Sequence, residues 1–178
     1  MRFTTIDLEM AQPSNKIIQI GACIGTVPTG EILGSISCFV KIDEPLTPYI
    51  TNLTGITDGM LTEQGTSLLE AFAKVMEMHR KFKGHKSVIQ WGCGDVYLLK
   101  KDLFAAGLSP KEWKWGYRHF DAKTLYQARC LARGVTMKGG LSPAMENMGL
   151  QFEGTQHNAM ADAQNTFKLF CKLILALK

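Results

Sequence analysis

The chain has 178 residues, enough for one domain with a sizeable core, and the whole of 1–178 reads as one unit. Hydrophobic content of 46% and charged content of 20% exclude a disordered or fibrous chain. A net charge of +4 suits a polyanionic partner without naming one. Five cysteines without a CxxC pair argue against zinc-ribbon or thioredoxin chemistry and suit a reducing, cytoplasmic setting. The apolar tail Phe167–Leu177 is broken by Lys168 and Lys172 and is too short to span a membrane. The N-terminus enters a strand at once, with no secretory leader pattern.

Residues 2–9 read as a strand, and Gln12-Pro13-Ser14-Asn15 as a turn. Lys16–Thr26 is a second strand, apolar on both faces, and Ile32–Ile42 a third. Short turns between them make an antiparallel meander. Pro48–Gly55 reads as a short helix ended by glycine, and Ile56–Gly59 as a loop. Ser67-Leu68-Leu69-Glu70 matches a capping box, and the helix behind it carries Leu68, Phe72, Val75, Met76 and His79 on one stripe. Ser87–Trp91 reads as a strand and Asp95–Ala106 as a helix. A short strand at Arg118–Asp121 opens a helix to Arg133. A loop at Gly134–Gly140 leads to a short helix closed by Gly149, and a last helix runs from about Asn158 to Leu177. The fold class is α/β: a mixed five-stranded sheet, a three-strand antiparallel meander plus parallel strands, flanked by helices.

The candidate chemistry starts at Thr5-Ile6-Asp7-Leu8-Glu9. Side chains two apart on a strand share a face, so Asp7 and Glu9 point together. A divalent cation would offset that charge, because hard cations take oxygen ligands. Asp95 follows a strand directly; a helix N-cap role would also explain it. Asp162 shares a stripe with Thr166, Leu169 and Leu173, so it faces the core and needs a partner. The helix dipole is a milder explanation for it. His157 lies five residues earlier, about 140° away on a continuous helix. The two converge only if His157 sits on the loop before the helix.

Taken together, Asp7-x-Glu9, Asp95 and His157-x4-Asp162 resemble the DnaQ-like 3′–5′ exonucleases of the DEDDh group, in the ribonuclease H-like superfamily. The likeness covers nearly the whole chain, through Ile17–Ala22, Leu53-Thr54-Gly55-Ile56-Thr57 and His157–Ala163. Gln90-Trp91-Gly92-Cys93-Gly94-Asp95 and Gly149–Gly154 are most similar to the Eri and KapD branch, which includes RNA-processing enzymes. Cys93-Gly94 departs from the polar-plus-aromatic pair common there, and Gln12–Asn15 from the usual threonine-rich turn.

The resemblance implies two Mg2+ or Mn2+ ions held by Asp7, Glu9, Asp95 and Asp162. Asp7 would be shared by both ions, Glu9 and Asp162 would hold the ion carrying the attacking water, and Asp95 would act through a bound water. It makes His157 the general base and the 3′ ends of single-stranded RNA or DNA the substrate. It places Leu8, Glu9 and Met10 on one side of the terminal nucleotide and Leu53, Gly55 and Ile56 on the other. Core packing explains Leu8, Leu53 and Ile56 equally well. Trp91 reads as a core residue. Trp113 and Trp115 fit either base stacking or a packed loop, and Lys100, Lys101 and Lys138 are candidate phosphate contacts or solvated charges. The expected activity is release of nucleoside 5′-monophosphates from RNA. A DNA proofreading or repair trimmer, or a silent nucleic-acid-binding or polymerase-interaction module, are the alternatives. A protein partner for target selection fits the lack of an appended nucleic-acid-binding domain.

Overall fold

The computed structural model describes residues 1–137 and 139–176. Its centre is β1 (Arg2–Met10). Alternation sends Ile6 and Leu8 into one core cluster and Phe3 into another, so the strand serves both faces of the sheet. β2 (Ile17–Thr26) runs antiparallel to it, with Asp7 opposite Gly21 and Glu9 opposite Gln19. β3 (Glu31–Phe39) continues the meander. β4 (Ile89–Gln90) and β5 (Phe120–Asp121) enter parallel, and the sheet order is β3-β2-β1-β4-β5. This is the expected mixed sheet, antiparallel on one side of β1 and parallel on the other.

Helices cover both faces. α3 (Leu68–Lys81), opened by the Ser67/Glu70 capping box, and α4 (Asp95–Ala105) bury Phe72, Val75, Leu99 and Leu103 against Ile6 and Leu8. On the opposite face α7 (Ala159–Leu175) lays Phe167 and Phe170 against Phe3 and Cys23. α5 (Ala122–Arg133) and α6 (Leu141–Asn147) pack Tyr126 and Met145 around Leu169 and Leu173 of α7. Each fully buried aliphatic side chain contributes roughly 1.5–3 kcal/mol.

Four sequence expectations need correction, among them the last strand, read over Arg118–Asp121 and found only at Phe120–Asp121; at Trp113 and Trp115 the structure decides between two readings left open. The third strand stops at Phe39, and Val40 makes only an isolated bridge to Thr66. After α1 (Pro48–Thr54), ended as expected by left-handed Gly55, the segment read as a loop becomes α2 (Asp58–Gln64). Thr57 caps α2 by accepting the Met60 N–H at 3.2 Å, which outweighs the turn character of Asp58-Gly59. The strand around Val88 is shorter than predicted, two residues long. Trp113 and Trp115 are a packed loop. Trp113 stacks on Phe72 with ring centroids 5.6 Å apart, and Trp115 is only 3% exposed. The readings that involved Lys138 and a helix end at Leu177 lie outside the described residues. Among the described residues no helix is long and apolar enough to cross a membrane.

Candidate active site

Asp7 and Glu9 project from β1 on the face covered by α7. The approach of that helix is set by β2. A Cβ on Gly21 would lie 1.9 Å from the Ala159 carbonyl carbon, so only glycine lets the first turn of α7 rest beside Asp7. Gln19, opposite Glu9 and 1% exposed, accepts the Ala159 N–H through Oε1 at 3.0 Å and donates through Nε2 to Ser37 Oγ. Gly21 and Gln19 thus bring Asp162, in the first turns of α7, toward the two acids of β1.

Asp95 arrives by a different brace. The N-cap of α4 is Gly94, not Asp95, and the Val96 N–H is taken by Gln90 Oε1 at 3.0 Å. The capping explanation for Asp95 is therefore wrong: its carboxylate is spared that role by a buried glutamine on β4. Asp121 caps α5 and also accepts the Gly92 N–H at 2.9 Å, which ties down the loop before Asp95.

His157 lies in a turn before α7, with φ of +60°, as convergence with Asp162 requires. Its N–H donates to Asp162 Oδ2 at 3.0 Å, and its imidazole stands at the exposed rim. The strap leading to it is pinned by Asn165, which is fully buried. Asn165 accepts the Glu153 N–H and donates to the carbonyls of Glu153 and Ala161.

The charges converge. Burial pushes the Asp7 carboxyl well above the usual range, and the charges of Asp95, Asp162 and Glu9 push it further. Glu9 is raised to about 7 by burial, then by Asp162 and Asp95. Burial raises Asp95 to about 7. It raises Asp162 to about 6, against the favourable His157 N–H and charge. One donor atom from each of Glu9, His157 and Asp162 lies within 4.8 Å of the others. Clustered carboxylates that repel one another and a donor set of this hardness fit divalent cations.

Asp7, Glu9, His157 and Asp162 line one cleft of about 550 Å³, and Leu8 borders it. Its other walls include Trp91, Lys123, Pro143 and Phe152. Leu8 also packs in the core with Ile6, and Met10 is half-buried at the end of β1. Leu53 is half-buried on α1, Gly55 is its exposed cap, and Ile56 is 2% exposed in a cluster with Ile18 and Ile50. Sequence reasoning foresaw the Asp121 cap of α5 but missed Gln19, Gln90 and Asn165. The available signal was a polar residue where the pattern calls for an apolar one.

An acid cluster on the central strand of a mixed sheet of this order fits a nuclease of the ribonuclease H-like fold. A model of the exonuclease family matches residues 4–170, and the chain belongs to that family, in its DnaQ-like group. ERI1 exoribonuclease 2 of Mus musculus is 24% identical over 178 residues, covering 90% of this chain and 26% of the relative. The chain thus spans about a quarter of the length of the curated relatives it matches. Among solved structures, cell-death related nuclease 4 superposes with a TM-score of 0.83 at 14% identity, covering 98% of this chain and 64% of that one. The nuclease domain of 3′hExo, a DEDDh family member bound to rAMP, gives 0.73 at 17% identity, covering 98% and 92%. These likenesses establish the shared fold.

Proposed function

We propose that this chain is a metal-dependent 3′–5′ exonuclease that trims single-stranded RNA and releases nucleoside 5′-monophosphates. The observation that carries the reading is the convergence of four mutually repelling carboxylates, from β1, α4 and α7, beside His157. Asp7, Glu9, Asp95 and Asp162 would hold two Mg2+ or Mn2+ ions. Bound there, such ions would supply a lowered water pKa and neutralise charge developing on the phosphate.

The chain's own groups do the rest. His157 takes a proton from the attacking water, a role its exposed position at the cleft rim suits. General-base help of this kind contributes roughly 10²–10⁴-fold. The new bond joins the water oxygen to phosphorus, and the bond from phosphorus to the 3′-oxygen of the preceding nucleotide breaks. That oxygen takes a proton from solvent as it leaves. Asp162 holds the His157 backbone through its N–H and so orients the imidazole. Leu8 and Met10 on one side, and Leu53, Gly55 and Ile56 on the other, are the proposed neighbours of the terminal nucleoside.

The RNA preference is supported by the exoribonuclease name of the mouse relative and by the rAMP bound to 3′hExo. Digestion of end-labelled RNA and DNA ladders with Mg2+, Mn2+ or EDTA tests the reading. The expected result is a metal-dependent ladder shortening from the 3′ end, faster on RNA and blocked by a 3′-phosphate. Equal rates on RNA and DNA remove the substrate assignment, and EDTA-resistant cleavage removes the metal site.

A further inference from the structure

The outward face of α4 carries chemistry that the cleft does not use. Asp95 starts the helix at the acid cluster, and Val96, Leu99 and Leu103 bury its inner face. Tyr97, Lys100, Lys101 and Phe104, at offsets of three, four and seven, form its outer stripe. No carboxylate lies on that stripe. Asp102, the helix's other acid, is half-buried and borders a separate groove with Lys16 and Leu68.

The exposed aromatics are unusual. Tyr97 is 73% exposed and Tyr117 is 94% exposed. The Lys100 ammonium sits 5.1 Å from the centroid of Tyr117, 5.5 Å from Phe104 and 5.7 Å from Trp113. Three rings therefore hold one cation, and among the described residues Lys100 has no carboxylate partner. Its uncompensated charge is felt by His119, whose imidazole is pushed down by burial and by Lys100. Lys111, Lys114 and Arg118 are exposed in the same segment as Trp113 and Tyr117.

We propose that this face is a track for single-stranded nucleic acid, carrying the stretch upstream of the 3′ end held in the cleft. Exposed rings offer faces on which bases stack without regard to sequence, and unpaired lysines meet phosphates. Phe104 lies roughly 13 Å along the axis from Asp95. The ridge thus leads away from the acid cluster on one rigid element. Its positive charge and open rings favour a polyanion with π-faces over an apolar protein surface. The proposal rests on the exonuclease reading for its direction, but binding can be measured without cleavage.

The test uses a fluorescent 12-nucleotide oligouridylate in EDTA, titrated with wild type and with Tyr97→Ala/Lys100→Gln/Tyr117→Ala. All three side chains reach the surface, and thermal melts check the fold. The variant is expected to bind the 12-mer at least about tenfold more weakly. Lys100→Gln alone is expected to lower the slope of log Kd against log salt by roughly 0.7. Lys172→Gln, exposed on α7, is expected to leave both unchanged. Hydrolysis of 4-nitrophenyl thymidine 5′-phosphate, which fills only the cleft, reads the catalytic centre separately. Unchanged 12-mer binding in the triple variant overturns the track and leaves the face to a protein partner. Weakened binding by a protein that hydrolyses neither substrate supports the track while removing the exonuclease reading.

Discussion

The two faces of β1 do opposite work. On one, Ile6 and Leu8 are buried beneath α3 and α4 and stabilise the fold. On the other, Asp7 and Glu9 place charge where burial and neighbouring acids disfavour it. Neighbouring residues of one strand therefore set stability against reactivity, and substitutions one position apart should separate the two. Asp7→Asn is expected to lower nucleotide release by several kcal/mol of barrier, roughly 10³-fold or more. Its melting temperature should equal or exceed that of the wild type. Ile6→Ala is expected to cost about 2–5 kcal/mol of stability while leaving the acids in place. Chemical denaturation and rate measurements on both variants check the contrast; an Asp7→Asn protein that unfolds like Ile6→Ala would end it.

The same contrast extends to β2, where the residues facing the two acids are chosen for approach. Gly21→Ala places a methyl group 1.9 Å from the α7 backbone, so the helix must move. Overpacking of this kind typically costs about 1–3 kcal/mol. Because Asp162 rides on that helix, activity should fall with stability, unlike in Ile6→Ala compared at equal folded fraction. Gly30→Ala is a useful control, since its Cβ would meet nothing within 4 Å, although its φ of +80° carries a local strain of its own. A Gly21→Ala enzyme with wild-type turnover would show that α7 need not sit this close.

Alternation was enough to put Asp7 and Glu9 on one face and to foresee the meander, because a period of two survives in a single strand. The position of His157 was legible for a similar reason. Helical geometry forbids it from meeting Asp162 on a continuous helix, and the structure starts α7 after it. The braces were not legible. Gln19, Gln90 and Asn165 are buried polar residues whose partners lie as far as 140 residues away, and periodicity carries no information about a partner. Asp95 was ambiguous because an acid at a helix start suits a cap. Only the Gln90 bond to Val96 shows that the cap is supplied elsewhere. Trp113 and Trp115 fitted base stacking and a packed loop equally from sequence, because only the ring contacts with Phe72 tell the two apart. The α7-side site is thus assembled by hydrogen bonds that sequence pattern does not encode, whereas the α3-side core follows from pattern alone.

Asn165 offers a smaller break in the same comparison. It is a positioning residue, holding the strap that carries His157 without touching the cleft acids. Asn165→Ala leaves the Glu153 N–H without its acceptor and is expected to cost about 1–3 kcal/mol. The diagnostic readout is the pH–rate profile. If the strap loosens, the shape of the profile should change while metal dependence is retained. A uniform fall in rate at every pH would reduce Asn165 to a structural residue.

The subtlest difference between the faces is in proton uptake. Glu9 and Asp95 titrate near 7 in the folded chain and Asp162 near 6, whereas unfolded carboxyls titrate at about 4. Between those limits the native state holds more protons than the unfolded state, so stability falls as pH rises. Below about pH 4 both states are protonated and the penalty is absent; above about pH 7 it is complete. Buried His79, pushed down by burial first, works in the opposite sense and is unaffected by changes at the acids. The comparison is therefore wild type against Asp95→Asn, in EDTA. Asp95→Asn should gain stability relative to wild type as pH rises from 5 to 8, and Mn2+ should raise the wild-type melting temperature more at pH 8 than at pH 5. Parallel pH profiles for the two proteins would mean that the Asp95 carboxyl is not held above its ordinary range in the folded chain, and that burial at the start of α4 does not disfavour its charge.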